Sequence, residues 1–169
     1  MTRVTPKRIR RLIAKAAQGE RELSRRVKFP LKFGNPRLYD DWTDFDHVRD
    51  DSGVYIIYCP ERRRTPKTRD SRILYIGRGW IGDELKHHKR TKRALDKFAS
   101  EHTVKYTYCP LFDDDAEFVV EGILLIEHDY LFGDLPYFNI RHGSRTLHGW
   151  HDVISMQPGP KRILNKYGG

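Results

Sequence analysis

The stretch carrying Phe118, Val119, Val120, Ile123, Leu124, Leu125 and Ile126 constrains this chain more than any other, because so many apolar residues in one helical run cannot all face water. A helix that is apolar around most of its circumference belongs in the middle of a fold. It opens on Asp113, Asp114 and Asp115, whose carboxylates suit the positive end of a helix. The rest of the chain must supply the surfaces that pack around it.

Three short runs rich in β-branched and aromatic residues are predicted as strands: Gly53-Val54-Tyr55-Ile56-Ile57-Tyr58, Ile73-Leu74-Tyr75-Ile76 and Val104-Lys105-Tyr106-Thr107-Tyr108. After Gly82, Leu85, His88, Lys92, Leu95 and Phe98 fall along one side of a second core helix. Ahead of this core, Thr5-Pro6 reads as an N-cap and first-turn proline. A helix is expected over residues 6–17, with Ile9, Leu12, Ile13 and Ala16 at helical spacing.

Residues 1–51 are thus expected to form a basic helical extension and a connector draped on the core. Residues 52–140 form the core itself, and residues 141–169 an irregular tail packed partly through Trp150 and Ile154. The connector carries Asp40, Asp41, Asp44, Asp46, Asp50 and Asp51. Asp46-His47 suggests metal ligands, but Asp clusters ahead of a strand more often serve turns and helix caps. His142, His148 and His151 are taken as solvated tail residues.

In 169 residues, 32 Lys and Arg stand against 23 Asp and Glu, a net charge of +9. That balance favours a polyanionic partner, since each neutralised phosphate releases condensed counterions. Nucleic acid is the expected partner, with Lys7, Arg8, Arg11 and Lys15 of the first helix, Arg62, Arg63 and Arg64 of a basic loop, and Lys86 and Lys89 as contacts. Cys59 and Cys109 are too few for a disulfide framework and are expected as reduced thiols. No apolar run approaches the roughly 20 residues of a membrane span, so a soluble, cytoplasmic protein without membrane contact is expected.

Glu127 is the most informative single residue. Its helical neighbours Ile123, Leu124, Tyr130 and Leu131 are apolar or aromatic, whereas Glu117, Glu121 and His128 mark the expected solvent stripe. A carboxylate withdrawn from water needs an ion-pair partner or a metal, and helix geometry leaves both readings open.

Gly53-Val54-Tyr55, Tyr75-Ile76-Gly77, a following basic helix, Glu127-His128-Asp129-Tyr130-Leu131 and Pro136-Tyr137-Phe138-Asn139 occur in the order of the GIY-YIG nucleases, which the chain resembles over residues 53–139. The resemblance implies an α/β fold of the α+β kind, a small three-stranded antiparallel sheet flanked by helices. It also implies a metal-dependent endonuclease that hydrolyses phosphodiester bonds by water attack, acting on DNA more than RNA. Glu127 would hold one Mg²⁺, with Mn²⁺ as the alternative ion.

Tyr55 and Tyr75 would position water and phosphate, Tyr55 serving as general base. Arg78 follows Tyr-Ile-Gly where many members carry a cation, and Asn139 would orient the metal ligand or phosphate. The family also places an Arg about three helical turns after Tyr-Ile-Gly, with a His or Tyr one turn later, and those offsets fall here on Leu85 and Lys89. A register shift through Gly79-Trp80-Ile81-Gly82 would make Arg90 the phosphate-binding residue, with Lys86 an alternative, and His87 or His88 the histidine. A rival expectation is a non-catalytic nucleic-acid-binding module, or a structural component of a ribonucleoprotein, retaining a degenerate nuclease fold. Double-strand cleavage by so small a core would call for a homodimer or two sequential nicks.

Overall fold

The computed structural model describes residues 31–61, 71–111, 114–139 and 158–169. The expected helix over 6–17 with Lys7, Arg8, Arg11 and Lys15, the loop bearing Arg62, Arg63 and Arg64, and Trp150, Ile154 and the three late histidines lie outside them. Four strands, β1 (Arg37–Leu38), β2 (Ser52–Tyr58), β3 (Ile73–Trp80) and β4 (Lys105–Pro110), form one antiparallel sheet in the order β1-β4-β2-β3. Among the described residues five helices flank it: α1 (Trp42–His47), α2 (Ile81–Thr91), α3 (Arg93–Glu101), α4 (Asp114–Phe132) and α5 (Pro158–Gly168). The α+β class is as expected, with a fourth strand added. Strand β1 is only two residues long, too short to carry a period-2 pattern, and pairs Arg37 with Tyr106 and Leu38 with Lys105.

All seven residues of the central strand β2 are buried, because both sheet faces are covered. Val54, Ile56 and Tyr58 pack with Ile76, Val120, Leu124 and Leu164 on the α4–α5 side. Tyr55 and Ile57 pack with Phe45, Leu85 and Leu95 on the α1–α3 side. Gly53 lets β4 approach closely, since a Cβ there would stand 2.1 Å from the Cys109 carbonyl oxygen. Cys59 and Cys109 are both buried, each with its thiol outside any disulfide.

The acidic connector does the work of caps and ion pairs. Asp41 caps α1 by accepting from the Thr43 and Asp44 amides at 3.0 and 3.3 Å, and Asp44 accepts from Arg37 at 2.6 Å and from the Tyr106 hydroxyl at 3.0 Å. The connector is more than draped on the core, because Tyr39, Phe45 and Val48 are themselves part of it.

Three further features depart from the sequence expectation. Strand β3 runs on to Trp80, four residues past Ile76, although its glycines 77 and 79 weaken the strand signal. The helix expected after Gly82 starts at Ile81 and is broken at Lys92, whose amide closes α2 on the His88 carbonyl while its own carbonyl accepts from Leu95 and Asp96. The tail is not irregular over 158–168: α5 buries Ile163, Leu164 and Tyr167, and the Gly168 carbonyl accepts from the Arg72 amide at 2.9 Å. Among the described residues no helix is long and apolar enough to cross a membrane.

Candidate active site

The register of β2 and β3 brings Tyr55 opposite Gly77 and Tyr75 opposite Ile57. A register shift at Tyr58 leaves Leu74 as an extra residue on β3, so Leu74 and Tyr75 both serve the α1–α3 face. Gly77 gives the Tyr55 ring its room: a Cβ there would lie 2.5 Å from the Tyr55 hydroxyl and 2.7 Å from the Tyr75 ring. The glycine of Tyr-Ile-Gly is thus a steric requirement of the two tyrosines.

His88 of α2 completes a group of three rings. Its centroid is 4.7 Å from that of Tyr75 and 5.8 Å from that of Tyr55, and the two tyrosines are 6.1 Å apart. The Tyr55 hydroxyl and His88 Nε2 share a short hydrogen bond, and among the described residues His88 Nδ1 makes none. Burial pushes the Tyr55 phenol well above its ordinary value, with Tyr75, Glu84 and Glu121 adding to the effect. Tyr75, buried and facing Glu121 and Glu84, is pushed up to about 12. Burial first, then Lys92 and His87, lower His88 to about 3. At neutral pH the pair is therefore a neutral phenol against a neutral imidazole.

Lys92, at the break between α2 and α3, places Nζ 4.5 Å from the centroid of the Tyr75 ring. Burial lowers its pKa and Glu84 opposes that. Lys86 and Lys89 are already ion paired, to Asp46 and Asp40, and Lys89 lies 5.0 Å over the Tyr39 ring. Lys92 makes no ion pair among the described residues, so its charge is the less neutralised. Arg90 is exposed on α2, and at 100° per residue it projects about 200° around the axis from His88. The residue one turn before His88 is Glu84, a carboxylate where the resemblance leads one to expect Arg.

Arg78 donates to Glu121 at 3.1 Å and lies 5.1 Å over the Phe118 ring. Burial raises the pKa of Glu121 while Arg78 counters it. The expected solvent stripe of α4 is in fact interior. Glu117 is 2% exposed and accepts from Ser52 at 2.5 Å, and His128 is fully buried between Ser71 and the Asp134 carbonyl at 2.8 and 2.7 Å. A helix apolar nearly all round is buried over most of its circumference, and the polar residues that fall there are buried with it.

Glu127 is 2% exposed. It follows Glu121 by six residues, about 9 Å along the axis and about 240° around it, so the two carboxylates leave α4 on different sides. Glu121, with Glu84, is the carboxylate that acts on the tyrosines. Among the described residues no group of three or more His, Cys, Asp or Glu forms a ready metal cage. Glu127 and Glu121 both offer the hard carboxylate oxygen that Mg²⁺ takes beside waters and phosphate oxygens, and Glu121 is the one that acts on the tyrosines.

Asn139 is committed to the sheet: its Oδ1 accepts from the Ile76 amide at 2.9 Å and its Nδ2 donates to the Ile76 carbonyl at 2.8 Å. With Phe138 donating to the Leu74 carbonyl at 2.8 Å, the asparagine covers the outer edge of β3 like a short added strand. It sets the height of Tyr75 through the backbone next to it.

The structure therefore groups Tyr55, Tyr75 and His88, adds Lys92, Glu84 and Glu121, which sequence reasoning did not nominate, and places Asn139 as a backbone clamp. Lys92 was legible only as a member of an apparently continuous helix. Glu121 was hidden by its assignment to solvent, although Phe118, Leu124 and Leu125 beside it on the helix signalled burial. Comparison with family models, curated proteins and solved structures returns no match.

Proposed function

We propose that this chain is a metal-dependent endonuclease that hydrolyses phosphodiester bonds by water attack, with DNA the preferred substrate. The carrying observation is the buried hydrogen bond from Tyr55 to His88, set against Tyr75 and under the charge of Lys92. Support comes also from the order of the motifs and the +9 charge.

An isolated phenol this far above neutrality is a poor base. A relay removes the difficulty: as Tyr55 takes a proton from the attacking water, its own proton passes to the Nε2 lone pair of His88. Imidazolium is disfavoured in the free protein by burial and by Lys92. The negative charge of a bound phosphodiester offsets both, so the relay works best with substrate in place. Tyr75 holds the water or a phosphate oxygen, and Lys92 supplies the fixed positive charge expected of the family Arg. Mg²⁺ held at Glu127, or at Glu121 where α4 meets the tyrosines, would neutralise charge on the phosphate and on the leaving oxygen.

Glu84, one turn before His88, favours a second reading, a nucleic-acid-binding module without cleavage. Wild type and the Glu127→Gln variant incubated with plasmid, structured DNA and RNA, in Mg²⁺ or EDTA, separate the two. Mg²⁺-dependent cutting by wild type, lost in Glu127→Gln with binding retained, is the expected result. Binding without cutting in every condition establishes the module instead, and unfolding of Glu127→Gln makes that residue part of a structural ion pair.

A further inference from the structure

A cleft of about 660 Å³ opens beside the tyrosine cluster, between the α2–α3 break and the segment 134–139 that covers the edge of β3. This is the size range of small-ligand sites. Its lining combines two chemistries: the cations Lys92 and Arg93 on one wall, and the rings of Tyr137 and Phe138 on the other. Tyr137 and Phe138 meet edge to face with centroids 4.7 Å apart, and Phe98 supports Phe138 from a centroid distance of 6.1 Å. Asp134 also lines the cleft, but its carboxylate accepts from the Leu135 amide at 2.7 Å. Lys92 joins the cleft to the catalytic cluster, since the same ammonium lies over the Tyr75 ring.

We infer that this cleft holds one unpaired nucleotide next to the scissile phosphate, its base stacked on Tyr137, which Phe138 buttresses at a right angle, and its phosphate facing Lys92 and Arg93. An aromatic wall recognises the face of any base, and cations beside it recognise the backbone; a base still stacked in a duplex presents no free face to such a wall. The inference rests on the proposed nuclease reading and narrows its substrate to single-stranded or branched nucleic acid, where a base is already free of its stack.

The test is metal-free, which separates it from the fate of the nuclease reading. Fluorescence anisotropy in EDTA compares a fluorescein-labelled ten-nucleotide oligothymidylate with a duplex of equal length, using wild type, Tyr137→Ala and Arg93→Gln. Wild type should bind the single strand more tightly. Tyr137→Ala should weaken that binding about tenfold and leave duplex binding nearly unchanged, since a base–ring stack is lost. Arg93→Gln should lower the salt slope by about one phosphate contact. Should Tyr137→Ala fail to fold, the strand preference of wild type and the Arg93→Gln slope decide. Equal binding of both strands by wild type, or no change in either folded variant, overturns the subsite. Preference for the single strand without any Mg²⁺-dependent cleavage keeps the subsite and removes the nuclease.

Discussion

The two faces of the sheet hold their buried polar groups differently, although each keeps one hydroxyl without a hydrogen-bond partner among the described residues, Tyr167 on α5 and Tyr39 beside α1. On the α4–α5 side, Ser52 bonds Glu117, Arg78 bonds Glu121, and His128 is held at both ring nitrogens by Ser71 and the Asp134 carbonyl. On the α1–α3 side, His88 is 3% exposed yet among the described residues its Nδ1 has no hydrogen-bond partner and Lys92, over Tyr75, has no carboxylate ion paired to it. Closed networks fix a fold; a buried polar group left partly satisfied is costly and persists where chemistry needs it. Under the proposed function Tyr55, Tyr75, His88 and Lys92 put the proton transfer on the α1–α3 side, which α4 joins through Glu121, the carboxylate that acts on both tyrosines.

The largest effect separating the sides is on stability. Leu164 of α5 is fully buried against β2 and α4, so Leu164→Ala should cost about 2–5 kcal/mol of unfolding free energy. Denaturant titration would measure it, and cleavage per folded molecule should stay within a factor of about two, well below a single tenfold step of about 1.4 kcal/mol. A matching loss of specific activity would show that the two sides are not separable.

A smaller effect comes from the same closed network. Burial holds His128 at about 4 against an ordinary value of 6.5, the Asp134 carbonyl only partly opposing it. Between those values the unfolded chain binds more protons than the folded one, so stability is fully present above about pH 6.5 and falls as pH drops toward 4. Melting curves from pH 7.5 to 4.5 should show a loss to which His128 contributes on the order of 2 kcal/mol, with His88, held at about 3, adding a comparable share. His128→Gln, which cannot protonate, should remove the His128 share and leave that of His88, while an unchanged profile would place the acid sensitivity elsewhere.

Legibility in the sequence followed element length and pattern. The three main strands were legible because β-branched and aromatic residues alternate between turn residues, and α4 because its apolar run is too long for anything else. Strand β1 and helix α5 were not, one being two residues long and the other carrying only Ile163, Leu164 and Tyr167 as an apolar signal among prolines and glycines. Tyr55 and Tyr75 were legible through the motif order, and His88 as one of two adjacent histidines.

Other roles could not be read from sequence. That Asn139 clamps the Ile76 backbone depends on a loop returning from 63 residues away. That Lys92 interrupts the helix is invisible because Leu85, His88, Lys92, Leu95 and Phe98 keep helical spacing straight through the break. Nor could the sequence show that Lys86 and Lys89, expected as nucleic-acid contacts, form ion pairs with Asp46 and Asp40, which meet them only once the segment 40–47 docks on α2.

The proposed function requires that the Tyr55–His88 pair does chemistry and is not merely a buried hydrogen bond. Single-turnover cleavage of a branched DNA in Mg²⁺ by Tyr55→Phe, with folded fraction and binding measured in parallel, tests it most directly. The prediction is a rate loss of at least about 10²-fold with binding unchanged, in the range of a missing general base. A Tyr55→Phe protein that cuts at the wild-type rate, or one that loses stability in full proportion to its rate, would contradict it.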